Sequence, residues 1–195
     1  MSDPPTDVRA AKAASLLRRL TYARIVLVPV IMGLIELADR IDHAHAIAAV
    51  LFVLAAATDF LDGFFARRWG ATSTLGSFLD TTADKLLVSG VLIALVSVGR
   101  ASPWLALIII GREFVVLGLR GVVAADGTVF PPSIWGKLKA NVQFLAIALA
   151  IVRTSEPVGP LHLDEYAMIA AAAVTVLSGA EYLARFRDAL SPPRP

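Results

Sequence analysis

The chain of 195 residues contains no cysteine. Disulfide staples and thiolate metal sites are therefore excluded, and redox chemistry leaves the compartment open. Histidine is scarce: His43, His45 and His162 all fall in polar connections between apolar runs, where they are read as solvated. Charged residues make up 17% of the chain and the formal net charge is +2, too small an excess to point to nucleic acid as a partner. No internal repeat is evident. That counts against a secondary transporter, because many such folds are built from repeated halves. A signal peptide is not expected: the first long apolar run begins near residue 20 without a small-residue cleavage site, so the N-terminus should be retained.

What is present is apolar. Hydrophobic residues are 57% of the chain and the mean hydropathy is +0.71, values of an integral membrane protein with one domain by length. Crossing a bilayer takes about 20 apolar residues. Six segments reach that length, at approximately 20–38, 45–66, 78–98, 103–123, 134–152 and 166–186. Turn-forming runs separate several of them, at Gly99 to Pro103, Asp126 to Pro132 and Thr154 to Pro160. The expected fold is all-α, with six transmembrane helices and a short amphipathic juxtamembrane helix from about Val8 to Arg19. Residues 1–15 are expected to be a flexible N-terminus, 16–188 the membrane domain and 189–195 a Pro-rich tail.

Lys and Arg in short loops set orientation. One side collects Arg9, Lys12, Arg18, Arg19, Arg67, Arg68, Arg120, Lys137, Lys139, Arg185, Arg187 and Arg194, and the other only Arg40, Arg100 and Arg153. Both termini are therefore expected on the cytoplasmic side.

Against this background four carboxylates, Asp59, Asp62, Asp80 and Asp84, fall within 26 positions at the cytoplasmic ends of the second and third spans. Ionisable groups at or near lipid depth are costly and usually present for function. Asp59 and Asp62 are three apart and Asp80 and Asp84 four apart, so on helices each pair projects from one face. Two such faces turned together make a cage of hard oxygens suited to Mg²⁺, Mn²⁺ or Ca²⁺, with room for a phosphate-bearing substrate. Gly63 and Ala66 share the face of the first pair and allow close approach to the helix backbone. Arg67 adds a planar fork for phosphate. The competing account of any single aspartate is an N-cap or a loop charge at a helix end.

A second polar group lies further on. Arg112 and Glu113 interrupt the fourth span, Arg120 follows two turns later, and Lys137 and Lys139 open the fifth. Arg112 and Glu113 can equally be an internal ion pair linking helices, and the lysines can be snorkelling anchors. Together, Arg112, Arg120, Lys137 and Lys139 form a cationic set on the same membrane side as the carboxylates, fit for a second anion such as a phosphorylated acceptor. Gln143, one turn past Lys139, could meet an acceptor hydroxyl or make a helix–helix hydrogen bond.

The spacing D-x2-D-G-x2-A-R-x8-G-x3-D-x3-D, carried by Asp59, Asp62, Gly63, Ala66, Arg67, Gly76, Asp80 and Asp84, resembles the signature of the CDP-alcohol phosphotransferase family at all eight defined positions. Thr21 and Arg24 in Leu20-Thr21-x-x-Arg24, Gly111-Arg112-Glu113-Phe114 with Arg120, and Gly136-Lys137-x-Lys139 with Gln143 are similar to the branch that uses glycerol 3-phosphate. That resemblance implies transfer of a phosphatidyl group from CDP-diacylglycerol to sn-glycerol 3-phosphate, with release of CMP. It also implies two divalent cations, Mg²⁺ or Mn²⁺, on Asp59, Asp62, Asp80 and Asp84, with Asp84 as the base. Thr21, Asp62, Gly63, Ala66, Arg67 and Gly76 would contact CDP, and Arg112, Arg120, Lys137 and Lys139 the acceptor phosphate. A homodimer in a bacterial inner membrane, with the site facing the cytoplasm, is implied as well. The competing readings are another member of the family, such as one using inositol phosphate, and outside it a divalent-cation transporter.

Overall fold

The computed structural model describes residues 6–69, 74–125, 134–153 and 156–190; side chains at 6–14, 16, 17, 59–69, 74, 75, 134, 137 and 188–190 lie outside the description. Six helices follow one another: α1 (Thr6–Glu36), α2 (Ala44–Trp69), α3 (Thr74–Ser97), α4 (Pro103–Ala125), α5 (Ile134–Val152) and α6 (Leu163–Leu190). Each expected span is one of these helices. Their ends fall where the sequence carries breakers: Gly99, at φ 71°, takes the left-handed conformation just past α3, and Pro103 opens α4.

The N-terminal region differs from expectation. The amphipathic stretch and the first span are one helix of 31 residues, α1, and helix begins at Thr6, inside the segment expected to be flexible. Nothing between Arg19 and Leu20 breaks it, and Pro29 is accommodated within it.

The chain forms two compact units, 1–98 and 99–195. In the first, α1 packs along both α2 and α3, which themselves meet only briefly. Val28, Ile31 and Ile35 of α1 are buried with Ala48 and Phe52 of α2 and Leu87, Val91 and Leu95 of α3. Gly90 allows the approach of α3 to α1, since a Cβ there would lie 2.6 Å from Val28 Cγ1. In the second, α6 packs against both α4 and α5. Arg100 Nη1 donates to the Ile151 carbonyl at 2.7 Å, satisfying a backbone acceptor in the last turn of α5.

The surface is strongly apolar. Val26, Val53, Leu54, Phe78, Trp104, Leu107, Phe114 and Leu145 are exposed, while Arg24, Glu113, Lys139, Gln143, Asp164, Thr175 and Ser178 are buried. Among the described residues one stretch, Leu163–Arg187, is long and apolar enough to cross a membrane. The described apolar stretches of α2 and α5, Ala44–Thr58 and Leu138–Val152, are shorter. In α3 and α4 the apolar run is interrupted by Asp80, Asp84 and Lys85, and by Arg112, Glu113 and Arg120.

Candidate functional site

The carboxylate motif lies on α2 and α3 of the first unit. Asp59, Asp62, Gly63, Ala66 and Arg67 belong to the C-terminal part of α2, and their side chains lie outside the described residues. On α3, Gly76 occupies the first turn, and Asp80 and Asp84 stand one helical turn apart. Both side chains are partly accessible, at 38% and 25%. Neighbouring hydroxyls are otherwise committed: Thr81 Oγ1 donates to the Ser77 carbonyl at 2.9 Å and Thr82 Oγ1 to the Phe78 carbonyl at 2.8 Å.

Each aspartate has a cationic neighbour. Arg24 Nη1 of α1 donates to Asp80 Oδ1 at 3.1 Å, and Lys85 Nζ donates to Asp84 Oδ2 at 2.9 Å. Arg24 is buried, and so is Thr21 one turn before it. Two carboxylates one turn apart, partly open to solvent and with oxygen donors only, fit a hard divalent cation. Among the described residues no three His, Asp or Glu side chains gather into a complete ligand set. The remaining motif carboxylates are the α2 pair, whose side chains are not described.

The cationic residues lie in the second unit, and several are engaged with protein. Glu113 of α4 is buried and accepts a hydrogen bond from Lys139 Nζ of α5, which is buried too. Arg112 Nη1 lies 3.5 Å from Glu113 Oε1. Its Nη2 donates to Ser178 Oγ at 2.7 Å, and its guanidinium sits 5.9 Å from the centre of the Tyr182 ring. Gly179 leaves space for this side chain, since a Cβ there would meet Arg112 Cγ at 3.3 Å. Arg112 thus joins α4 to α6, and Glu113 with Lys139 joins α4 to α5. The ion pair weighed as a structural account of Arg112 and Glu113 is present, extended to Lys139.

Arg120 is exposed on α4, and Lys137 is on α5 with its side chain outside the described residues. Gln143 is buried, and neither carboxamide atom has a hydrogen-bond partner among the described residues. It makes no helix–helix hydrogen bond there. A cavity of about 310 Å³ in the second unit, bordered by Arg100, Ser102, Leu161 and Glu165, includes none of the sequence-predicted site residues. His43 is exposed as read, whereas His45 and His162 are half-buried.

Sequence reasoning missed the partners more than the residues. Arg24 was noted only as part of a pattern, although a cation within an apolar run is itself a signal of a buried counter-ion. Ser178 and Tyr182 gave no such signal, since a serine or tyrosine in a helix has many uses.

Comparison with known proteins bears on the whole chain. A family model described as CDP-alcohol phosphatidyltransferase matches residues 17–177. The chain is 38% identical over 183 residues to "CDP-diacylglycerol--glycerol-3-phosphate 3-phosphatidyltransferase" of Bacillus subtilis, covering 88% of this chain and 95% of that protein. It is 38% identical over 177 residues to "Probable phosphatidylglycerophosphate synthase" of Mycobacterium tuberculosis, covering 90% of this chain and 83% of the relative. A Rickettsia typhi protein with the same name as the Bacillus one is 37% identical over 166 residues, 84% of this chain and 92% of its own length. With the eight-residue motif complete on α2 and α3 and the match running through all six helices, this chain belongs to the CDP-alcohol phosphatidyltransferase family.

Proposed function

We propose that this protein transfers a phosphatidyl group from CDP-diacylglycerol to a hydroxyl of sn-glycerol 3-phosphate, giving phosphatidylglycerophosphate and CMP. The observation that carries this reading is the likeness to the Bacillus subtilis relative over 95% of its length, because that relative's name contains both substrates. In the reaction the acceptor hydroxyl oxygen attacks the phosphatidyl phosphorus, and the bond from that phosphorus to the CMP oxygen breaks. The hydroxyl proton passes to a carboxylate, and CMP leaves with the bonding electrons.

The chain's own residues divide the work. Asp59, Asp62, Asp80 and Asp84 would hold two divalent cations, Mg²⁺ or Mn²⁺, which when bound would supply positive charge to offset that of the diphosphate and improve CMP as a leaving group. Asp84 takes the proton, with Lys85 beside it at 2.9 Å. Thr21, Gly63, Ala66, Arg67 and Gly76 bind the nucleotide, the small residues by allowing close approach to the backbone. Arg120 and Lys137 hold the acceptor phosphate, and Arg112 and Lys139 complete the positive field from their buried positions. Gln143 hydrogen-bonds an acceptor hydroxyl.

The surface supports a membrane setting. Exposed apolar side chains on every helix, with Arg24, Glu113, Lys139 and Asp164 buried, suit a bilayer in which all six helices span. The Lys and Arg bias supports termini and a site that face the cytoplasm, and the bacterial relatives support an inner membrane as the setting. Residues 16–188 form the membrane domain, and the protein works as a homodimer.

The reading is tested by following CMP release from CDP-diacylglycerol by the purified protein. Release should require glycerol 3-phosphate and a divalent cation, and should fall by several orders of magnitude in Asp80→Asn and Asp84→Asn. Turnover within tenfold of wild type in both variants would remove the carboxylate assignment.

A further inference from the structure

The cavity of about 310 Å³ lies wholly within the second unit, and no step of the proposed reaction uses it. Residues 99–102 and Leu105, at the start of α4, form one wall; Leu161, with Glu165 and Ile169 in the first turns of α6, forms the other. α6 carries the stretch Leu163–Arg187 that is long and apolar enough to cross a membrane, so its first turns and the cavity beside them fall where hydrocarbon meets water. Trp104 and Tyr166, exposed on the same two helix starts, are residue types that settle at that boundary. Ligand pockets run from about 300 to 1,000 Å³, so this one suits a headgroup-sized ligand.

The cavity carries one charge of each sign. Arg100 Nη1 donates to the Ile151 carbonyl at 2.7 Å, which fixes the guanidinium in place, and the N-terminal ends of α4 and α6 add the positive ends of two helix dipoles. On the opposite wall Glu165 Oε2 accepts from the His162 amide at 2.7 Å. Its Oε1 has Arg153 Nη2 at 3.7 Å, beyond hydrogen-bond reach, and accepts no hydrogen bond among the described residues. From the cavity an exposed apolar stripe, Ile169, Ala173 and Val176, runs along α6 at helical spacing toward the middle of the span.

We propose that this cavity binds a phospholipid with a zwitterionic, primary-ammonium headgroup. Its phosphate lies beside Arg100 and Ser102 at the start of α4, its ammonium donates to Glu165 Oε1, and an acyl chain follows the stripe on α6. The proposal rests on the reading of the chain as membrane-spanning. Charge complementarity selects the headgroup: a purely anionic one leaves the Glu165 wall unmatched, and a quaternary ammonium has no N–H to donate. Such a lipid is neither substrate nor product of the proposed transfer, so the site is separate from the reaction.

The test is native mass spectrometry of the full chain released from detergent, with phosphatidylethanolamine, phosphatidylcholine and phosphatidylglycerol of matched acyl chains at equal concentration. The wild type should retain one phosphatidylethanolamine about tenfold more tightly than either of the others, the effect of one charge-assisted hydrogen bond. Glu165→Gln loses the charge but keeps an oxygen for the His162 amide, and should abolish the preference over phosphatidylcholine. Ser102→Asp keeps a good N-cap for α4 while setting a negative charge on the phosphate wall, and should weaken phosphatidylethanolamine retention by about tenfold. Equal retention of the three lipids, a preference for phosphatidylglycerol, or wild-type behaviour in either variant overturns the proposal. Should a variant not fold, the wild-type comparison of the three lipids still decides. A chain that stays monodisperse without detergent removes the membrane reading and this proposal with it, whereas one that needs detergent but shows no lipid preference removes this proposal alone.

Discussion

Glu113 of α4 and Lys139 of α5 are both buried and paired, so the charge of a lysine read as a phosphate ligand is partly met from within the protein. Removing one partner of a buried pair strands the other, at a cost of about 3–5 kcal/mol. Glu113→Leu should therefore lower stability by that amount, measured by thermal unfolding in detergent. Adding Lys139→Met should restore part of it, and the remainder belongs to Arg112, 3.5 Å from the same carboxylate. If the double variant is less stable than Glu113→Leu alone, Lys139 is not the group stranded.

The close approach of α1 and α3 gives a second expectation. A Cβ on Gly90 would lie 2.6 Å from Val28 Cγ1 and 3.1 Å from Met32 Sδ. Valine in a helix has one strongly preferred rotamer and cannot swing aside. Gly90→Ala should be destabilising by about 1–3 kcal/mol through overpacking, outweighing the gain of about 1 kcal/mol in helix propensity. Gly33→Ala is the control: its Cβ meets nothing within 4 Å, so only the propensity gain should appear in the thermal midpoint.

The helices were legible in the sequence because apolar runs of bilayer length ended at residues such as Gly99 and Pro103, which stop or start a helix for local reasons. The exception is α1, where amphipathic and apolar stretches have different periodicities but no breaker between them, so one helix reads as two. The position of Asp80 and Asp84 on one helix followed from a spacing of four. Their neighbours did not: Arg24 with Asp80 and Glu113 with Lys139 are pairings across 56 and 26 residues, and periodicity carries no information about which helix lies alongside. The same holds for Gly90, whose role depends on Val28 of another helix.

Gln143 separates structural from functional burial. Its two carboxamide atoms have no partner among the described residues, and a buried polar atom left unsatisfied costs about 1–3 kcal/mol. Gln143→Leu should accordingly unfold at the wild-type temperature or higher. If the amide meets an acceptor hydroxyl, the same variant should lose about tenfold or more in kcat/KM for glycerol 3-phosphate. A stable variant with full activity would leave Gln143 out of the acceptor site.

Arg120 and Lys137 probe the acceptor phosphate, and Arg120 is the cleaner of the cations because it is exposed, whereas Arg112 also ties α4 to α6. A charge-assisted hydrogen bond contributes about 1.5–3 kcal/mol, so Arg120→Ala and Lys137→Ala should each raise KM for glycerol 3-phosphate by about tenfold to a hundredfold. KM for CDP-diacylglycerol should change little. Steady-state kinetics with each substrate varied in turn would show the split, and equal weakening of both substrates would assign these cations elsewhere.

The central claim is the identity of the acceptor, and a competition measures it directly. Purified protein in detergent–lipid micelles is given CDP-diacylglycerol, Mg²⁺ and an equimolar mixture of glycerol 3-phosphate, inositol phosphate, serine and glycerol, and the lipid products are resolved by mass spectrometry. The account predicts phosphatidylglycerophosphate as the dominant product, formed in step with CMP. A dominant inositol phosphate, serine or glycerol adduct, or CMP release with no lipid product, would contradict it.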